Sequence, residues 1–256
     1  MSVEYQVDGP RATITINDPE RRNPMSVETM AGLAESTRRA VEDPDVAVIV
    51  YTGAGDRAFS AGGDLSGSFA DDPIGLHRSR GDLAELLRMM LRGGKPTVAR
   101  VNGHALAGGF GLAVACDVTI CVDDAKLGTT EVKVGLWPMM ISAILVRVMP
   151  RKAALELMLT GRVIDPQEAW RLGAVSRVVA RDDLDRAVDE VVGELAAASA
   201  ATLMLGKDSF NSMADAAIDT ALDRLQGGLT EITLTEDAQE GVAAFVDKRE
   251  PEWTGR

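Results

Sequence analysis

The stretch from Thr97 to Asp117 constrains the fold of this 256-residue chain most, because it joins a strand pattern to an unusual run of glycines. β-Branched residues first alternate as in a short buried strand; the pattern breaks at Asn102-Gly103, and small residues then predict the start of a buried helix. Gly108, Gly109 and Gly111 would each weaken a helix by roughly 1 kcal/mol relative to alanine. A helix start offers unpaired N–H groups and a positive dipole end. The glycines therefore fit either close helix packing or a Gly108 N–H aimed at an oxygen that becomes negative during a reaction.

A second glycine-containing loop runs from Ala58 to Leu65 and follows a hydrophobic strand predicted at Val46 to Tyr51. Together with Asn102 to Gly109, this loop resembles the paired signature of the crotonase (enoyl-CoA hydratase/isomerase) superfamily. One such loop is a weak signal, whereas two at this separation form a specific one. The resemblance extends along the chain and includes Pro19 to Asn23, Glu131 to Pro138 and Glu240 to Trp253.

Hydrophobic periodicity alone predicts an α/β core followed by helices. The predicted strands are a hairpin of Val3–Val7 with Ala12–Ile16, then Val46–Tyr51, Thr97–Val101, Val118–Val122 and Val175–Val179. The predicted helices run from Ser26 to Val41 and over Ile74–Leu91, Met139–Met149, Arg151–Leu159, Pro166–Leu172, Leu184–Ala198, Ala201–Met213, Ala216–Leu225 and Glu236–Val246.

The resemblance adds an architecture to this pattern. It implies a crotonase-like stack of ββα units with a C-terminal helical region that trimerises. We expect a core carrying the CoA and oxyanion sites over residues 1–195. Residues 196–256 then form a helical region of the same fold, not an independent domain. The expected assembly is a homotrimer or a hexamer built as a dimer of trimers.

Composition limits the partners. A net charge of −12 argues against nucleic acid or an anionic membrane surface, because both require a broad basic face. No apolar run reaches the length of a membrane helix, and no secretion signal is evident at the start, so we expect a cytoplasmic protein. Cys116 and Cys121 fit reduced core positions. With only His77 and His104 besides them, no zinc-type site is predicted.

The resemblance implies a reaction on an acyl-CoA thioester. Removing a proton next to the thioester carbonyl leaves an enolate, whose oxygen two fixed backbone N–H groups can stabilise. By resemblance these donors are Gly63 and Gly108. The alternative for Gly63 is an ordinary turn.

The resemblance also implies a base. Family hydratases carry two glutamates; Glu131 matches the second, whereas Gly111 occupies the position of the first. A solvated loop residue is the alternative for Glu131. A single carboxylate fits a proton shuttle, as in enoyl-CoA isomerases, although hydration remains open. Met139 to Ser142 replace a glycine-rich turn of typical hydratases, and Trp137 and Met139 are candidate acyl-pocket walls or, alternatively, core residues.

Coenzyme A needs cations near its phosphates even on an acidic protein. The resemblance assigns this role to Arg21, Arg22 and Lys248, each otherwise an ordinary surface charge. Ala61, Asp64 and Leu65 would line the path of the pantetheine and adenine. Coenzyme A is part of the substrate, so no separate cofactor is predicted.

Three other readings compete with this one. A serine hydrolase would use Ser60, whose surroundings fall one glycine short of G-x-S-x-G, with His77 or His104 as base. A dinucleotide-binding fold would use Gly103 to Gly111, but the spacing is not G-x-G-x-x-G. An acyl-CoA-binding protein with altered or lost catalysis would retain the fold while Glu131 plays no part in turnover.

Overall fold

The computed structural model describes residues 2–64 and 73–256. The described strands are β1 (Val3–Asp8), β2 (Arg11–Ile16), β3 (Pro24–Met25), β4 (Val48–Gly53), β5 (Ala58–Ser60), β6 (Gly62–Gly63), β7 (Thr97–Val101), β8 (His104–Leu106), β9 (Val118–Val122), β10 (Leu127–Gly128) and β11 (Arg177–Val179). The described α-helices are α1 (Val27–Glu42), α2 (Pro73–Arg92), α3 (Gly108–Ala115), α4 (Met139–Val148), α5 (Arg151–Thr160), α6 (Pro166–Arg171), α7 (Leu184–Ala196), α8 (Ala200–Met213), α9 (Ile218–Thr233) and α10 (Glu236–Asp247).

The main sheet has six strands in the order β1-β2-β4-β7-β9-β11. β1 and β2 form the predicted antiparallel hairpin, and every later neighbour pair is parallel. All six residues of β4 are buried, as expected for a parallel strand covered on both faces. Two small parallel sheets, β10-β8-β5 and β3-β6, contain the ends of the two glycine loops.

Helices cover the main sheet and form one continuous core with it. Ser26 caps α1 by accepting the Thr29 N–H at 3.1 Å, so the predicted start of this helix is confirmed. Leu33 of α1 and Leu86 of α2 have no exposed surface and belong to the same buried cluster as the strand residues. This cluster extends along the chain to Val192 in α7.

Several predicted boundaries were wrong. The strand predicted at 46–51 is paired over 48–53, because the ladder with β2 begins at Val48 opposite Arg11. The helix predicted at 216–225 runs from Ile218 to Thr233, so Gly227 and Gly228 lie inside it instead of ending it. The strand predicted at 175–179 pairs only over Arg177–Val179. The short strands β3, β5, β6, β8 and β10 have no periodicity and were not predicted.

Candidate active site

β6 presents the Gly63 amide on the side away from its partner strand. Asp64 N–H donates to Met25 O of β3 at 3.4 Å, and Met25 pairs with Gly63 in the ladder. Because successive amides of an extended strand point to opposite sides, the Gly63 N–H faces away from β3. Apart from its chain neighbours, no described atom lies within 4 Å of the position that a Cβ on Gly63 would take. The described residues therefore leave the Cβ side of Gly63 open.

α3 begins at Gly108 after an unusual backbone conformation. Ala107 has φ 50° and ψ −127°, a region that side chains disfavour, and its N–H donates to Gly128 O at 2.8 Å. Gly108 is the first residue of the helix, so its N–H has no acceptor within the helix. The predicted helix start at this glycine is confirmed.

The two glycine turns touch. Gly62 has φ 89°, and a Cβ on it would lie 2.6 Å from the Ala107 Cβ and 3.2 Å from the Gly108 nitrogen. Only glycine permits both the conformation and the close approach at position 62. The structure thus brings the backbone segments that carry the Gly63 and Gly108 amides into contact, although they lie far apart in sequence.

Glu131 begins a short 3-10 turn, Glu131–Val134, directly after β10 and Thr130. Its Oε2 is buried and has no hydrogen-bond partner among the described residues. Burial raises the pKa of the Glu131 carboxyl above its ordinary value, and a hydrogen bond with the residue's own backbone opposes this shift. A carboxylate with a raised pKa holds a proton more readily, which suits a group that takes up and returns protons near neutral pH.

Position 111 lies against α4. A Cβ on Gly111 would be 2.0 Å from the Ile141 Cγ2 and 2.5 Å from its Cβ, distances that no packed side chain tolerates. Ile141 is itself buried. The space that a side chain at 111 would need is therefore filled by Ile141. The contact between positions 111 and 141 was not predicted, because no pattern in the sequence pairs them.

Arg21, which precedes β3, forms an ion pair with Asp64, which follows β6; Arg21 Nη2 lies 2.8 Å from Asp64 Oδ2. The hydrogen bond and charge of Asp64 raise the pKa of the Arg21 guanidinium. Arg22 has a left-handed backbone, with φ 64°, and its carbonyl accepts the Ala61 N–H at 2.9 Å. The structure thus brings these four predicted ligand-contacting residues together beside Gly63.

Asn23 joins the turn that carries Arg21 and Arg22 to the segment before and within β5, a role that was not predicted. It has φ 55° and no exposed surface, and its Nδ2 donates to Ala58 O at 2.7 Å and to Ala54 O at 3.0 Å. Its Oδ1 accepts the Asp18 N–H at 3.0 Å. The available signal was an asparagine within a polar, proline-containing turn, a residue type that tolerates left-handed backbone.

The remaining predicted residues are Trp137, Met139, Lys248 and Leu65. Trp137 is half-buried and packs against the core, whereas Met139 is exposed. Lys248 directly follows α10 and has φ 54°; among the described elements, α10 packs mainly against α8 and α9. Leu65 lies outside the described residues.

The geometry does not support Ser60 as a nucleophile. Ser60 has no exposed surface, and its Oγ accepts the Gly62 N–H at 3.2 Å. His104 Nδ1 accepts the Lys126 N–H at 3.1 Å, and burial followed by the charge of Lys126 lowers the pKa of this imidazole. His77 is exposed on α2.

Within residues 2–64 and 73–256, no group of three or more His, Cys, Asp or Glu side chains is arranged to hold a metal ion. In the same ranges, no helix combines the length and apolar character that crossing a bilayer demands.

The fold and the paired glycine turns define a crotonase-type protein, and comparison with known proteins agrees. The sequence model described as enoyl-CoA hydratase/isomerase matches residues 11–256. A putative enoyl-CoA hydratase of Thermus thermophilus is 37% identical over 243 residues, covering 94% of this chain and 96% of that protein. A carnitinyl-CoA dehydratase of Salmonella typhimurium is 30% identical, covering 100% of this chain and 99% of that protein. The crystal structure of an enoyl-CoA hydratase from Mycobacterium smegmatis superposes with a TM-score of 0.94 at 30% identity, with 99% of each chain covered.

The chain belongs to the enoyl-CoA hydratase/isomerase family. The predicted superfamily and the predicted α/β fold with C-terminal helices are thereby confirmed. At the level of the family, this is an acyl-CoA enzyme of the hydratase/isomerase type.

Proposed function

We propose that this protein isomerises an enoyl-CoA thioester by a single-carboxylate proton transfer. In this scheme the Gly63 and Gly108 amides stabilise the enolate oxygen, and Glu131 is the general acid and base. The observation that carries the proposal is the contact between the Gly62 and Ala107–Gly108 backbones, because it puts two amide-bearing segments at one place. A preorganised donor of this kind is worth on the order of 10²–10³ in rate.

The proton steps balance without another reactant. The Glu131 carboxylate takes a proton from the carbon next to the thioester carbonyl of a 3-enoyl substrate, so the C–H bond breaks and its electron pair spreads over the dienolate. The same carboxyl then returns the proton to the far end of that system, forming a new C–H bond and leaving the 2-enoyl thioester. The Oε2 of Glu131 is buried and has no hydrogen-bond partner in the described part of the chain, and this arrangement, with the raised pKa of the carboxyl, suits both steps.

The packing of Ile141 against Gly111 favours isomerisation over hydration. Hydration requires one group to activate water while a proton is also delivered, a task divided between two carboxylates in family hydratases. Here Gly111 offers no carboxylate, and Ile141 fills the space with an apolar side chain. A water molecule beside this apolar side chain has fewer polar partners. Proton transfer by Glu131 alone needs no polar group at position 111.

The substrate handle in this proposal is coenzyme A, so no further cofactor is required. Arg21 and Arg22 bind its phosphates, joined by Lys248, while Ala61, Asp64 and Leu65 line its path. Trp137 bounds the acyl group. The proximity of Arg21, Arg22, Ala61 and Asp64 to Gly63 supports the first part of this assignment.

We also propose that the chain assembles as a trimer, or as a hexamer of two trimers, through its C-terminal helices. Val242, Phe245 and Val246 of α10 are all exposed, with Phe245 86% exposed. Val242 and Val246 line an apolar hollow that also includes Thr233, at the end of α9, and Ala238 of α10. Apolar surface of this kind marks interaction sites in soluble proteins.

The direct test is a panel of 2-enoyl- and 3-enoyl-CoA thioesters, followed by the absorbance of the conjugated thioester. We expect 3-enoyl substrates to gain this absorbance. Glu131→Gln should lower kcat by about 10²–10⁴-fold with little change in KM, because general acid–base catalysis contributes about that factor. Glu85→Gln, on the exposed face of α2, is the matched control and should leave kcat unchanged. Unchanged turnover in Glu131→Gln would remove this residue from the mechanism, and tight binding with no turnover of any substrate would favour an acyl-CoA-binding protein.

A paired substitution tests the choice of reaction. Gly111→Glu alone should fold poorly, because its Cβ would overlap Ile141. Gly111→Glu combined with Ile141→Gly frees that space, and this variant should hydrate 2-enoyl substrates faster than the parent. A folded double variant that binds substrate and hydrates no faster would show that the missing carboxylate does not decide between the reactions.

A further inference from the structure

Ser60 lies between the two glycine turns at the end of β5. It has no exposed surface, and its strand pairs with β8, where Ser60 stands opposite Ala105 with a local shift of register. One strand therefore leads directly into Gly62-Gly63, and its neighbour leads directly into Ala107-Gly108. A residue at this junction controls how the two turns sit relative to each other.

The Ser60 side chain touches both turns. Toward β6, its Oγ accepts the Gly62 N–H at 3.2 Å. Toward α3, a Cβ on Gly109 would lie 2.6 Å from the Ser60 Cβ and 2.8 Å from its Oγ. This Cβ would also lie 2.6 Å from the Ser60 backbone oxygen, so glycine at 109 allows both the backbone and the side chain of Ser60 to approach α3 closely.

These two contacts act on the amides of the proposed reaction. The hydrogen bond from the Gly62 N–H restrains this residue, which has φ 89°, and the φ and ψ of Gly62 together set the direction of the next amide, Gly63. The packing on Gly109 sets the position of the first turn of α3, which contains Gly108. One buried side chain therefore fixes the direction of one amide and the distance to the other.

We infer that Ser60 is a positioning residue that sets the relative placement of the Gly63 and Gly108 amides. This inference rests on the proposed function and adds a residue to it. Ser60 does not contact the substrate; it acts through the two glycine turns. Because a misplacement of about 1 Å costs on the order of 10²-fold in rate, a smaller loosening at Ser60 should cost about tenfold.

Two substitutions disturb the same placement from opposite sides. Ser60→Ala removes the hydrogen bond to Gly62 but keeps the space filled apart from one oxygen. Gly109→Ala keeps that bond but forces a methyl group against Ser60. Ser199→Ala is the matched control, because Ser199 is also a buried serine with a hydrogen bond, to Asp237 at 2.7 Å, in the C-terminal helices.

The measurement that a purely structural role would not change is polarisation of the bound thioester carbonyl. 2,4-Hexadienoyl-CoA is a suitable probe, because its absorbance moves to longer wavelength when hydrogen bonds draw charge onto the carbonyl oxygen. We expect Ser60→Ala to reduce this shift and to lower kcat about tenfold, with a smaller change in KM. Gly109→Ala should reduce the shift at least as much, and Ser199→Ala should leave both shift and kcat unchanged.

The outcomes separate this inference from the proposed function. A wild-type protein that binds the probe without any shift would overturn both. A wild-type shift that Ser60→Ala reproduces in full, with unchanged kcat, would overturn the role of Ser60 alone. Ser60→Ala is sufficient for this decision even if Gly109→Ala does not fold.

Discussion

The core, up to α7, and the C-terminal helices α8–α10 bury their side chains in different ways. The core contains large aliphatic residues with no exposed surface, such as Ile14, Leu33 and Leu112. Residues 197–256, all of them described, bury only three apolar side chains, and these are alanines: Ala201, Ala221 and Ala244. Many of their larger apolar residues are exposed, among them Phe210, Ile218, Leu229, Leu234 and Phe245.

The C-terminal helices are instead fastened by polar contacts. Asp237, almost fully buried, accepts hydrogen bonds from Ser199 and from the Thr254 and Gly255 amides. Lys207 Nζ reaches from α8 to Asp117 Oδ2 at 2.6 Å and to Lys95 O at 2.8 Å. Side-chain packing thus holds the glycine turns within the core, whereas the helices beyond it expose large apolar side chains.

The largest expected difference between the regions is the cost of removing a leucine side chain. Leu33→Ala, fully buried in α1, should lower the free energy of unfolding by about 2–5 kcal/mol because it leaves a cavity. Leu229→Ala, in α9 and 64% exposed, should change it by less than about 0.5 kcal/mol at dilute concentration. Urea unfolding of both variants checks the comparison, and equal losses at low concentration would contradict it.

A smaller effect is expected from the buried carboxylate that fastens the C-terminal end. Burial alone would raise the pKa of Asp237, but hydrogen bonds from Ser199, Thr254 and Gly255 outweigh it and lower this pKa below 3.8. A carboxyl whose pKa is lowered by folding stabilises the protein at pH values above its pKa in the unfolded chain. This stability is lost as the pH falls through its pKa in the folded protein. Asp237→Asn should therefore loosen residues 249–256 by about 1–3 kcal/mol near neutral pH.

Hydrogen exchange resolved along the chain is the measurement for Asp237, since the expected loss is local to residues 249–256. The gap between wild type and Asp237→Asn should close in acid. Asp223→Asn, exposed on α9, is the control. Loss of protection spread evenly over the core would mean that the two regions do not open separately.

The apolar face of α10 gives a change in assembly with little expected change in core stability. Phe245→Asp replaces the most exposed large apolar side chain of α10 with a charge, whose burial against another copy would cost several kcal/mol. Sedimentation should show a shift from a trimer or hexamer toward monomer. Glu231→Asp, also exposed in the C-terminal helices, is the control. An unchanged sedimentation coefficient would place the contact between copies on some other surface.

The smallest effect concerns Glu131, whose pH dependence has the opposite sign to that of Asp237. Burial raises the pKa of the Glu131 carboxyl above 4.5. A carboxyl whose pKa is raised by folding contributes stability that is fully present at pH values below its pKa in the unfolded chain. This stability is lost as the pH rises through its pKa in the folded protein. Glu131→Gln should therefore be more stable than wild type at neutral pH.

Unfolding midpoints measured from about pH 4 to about pH 8 check the sign of the Glu131 effect, since the advantage of Glu131→Gln should shrink toward the acid end. The same raised pKa should appear as the acid limb of the kcat/KM profile of the wild-type protein, because that profile reports groups of the free enzyme. A variant less stable than wild type at every pH would mean that the carboxylate is better solvated than its buried Oε2 indicates.

The elements with strong local patterns were accessible from the sequence. The β1–β2 hairpin, the cap of α1 at Ser26 and the helix start at Gly108 each depend on a few neighbouring residues, and all three are confirmed. Boundaries were less accessible. Gly227 and Gly228 suggest an end to α9, but the helix continues through both, because packing against α8 outweighs a weak local preference.

The sequence by itself determined the family, the α/β order of elements and the residues that carry the two glycine turns, because these depend on local composition and spacing. Only the tertiary structure decided that Gly62 touches Ala107, that Ile141 fills the space beside Gly111 and that Ser60 is enclosed between the turns. Each of these contacts joins residues on different elements. Such contacts depend on how strands pair and helices pack in three dimensions, which no local pattern along the chain specifies.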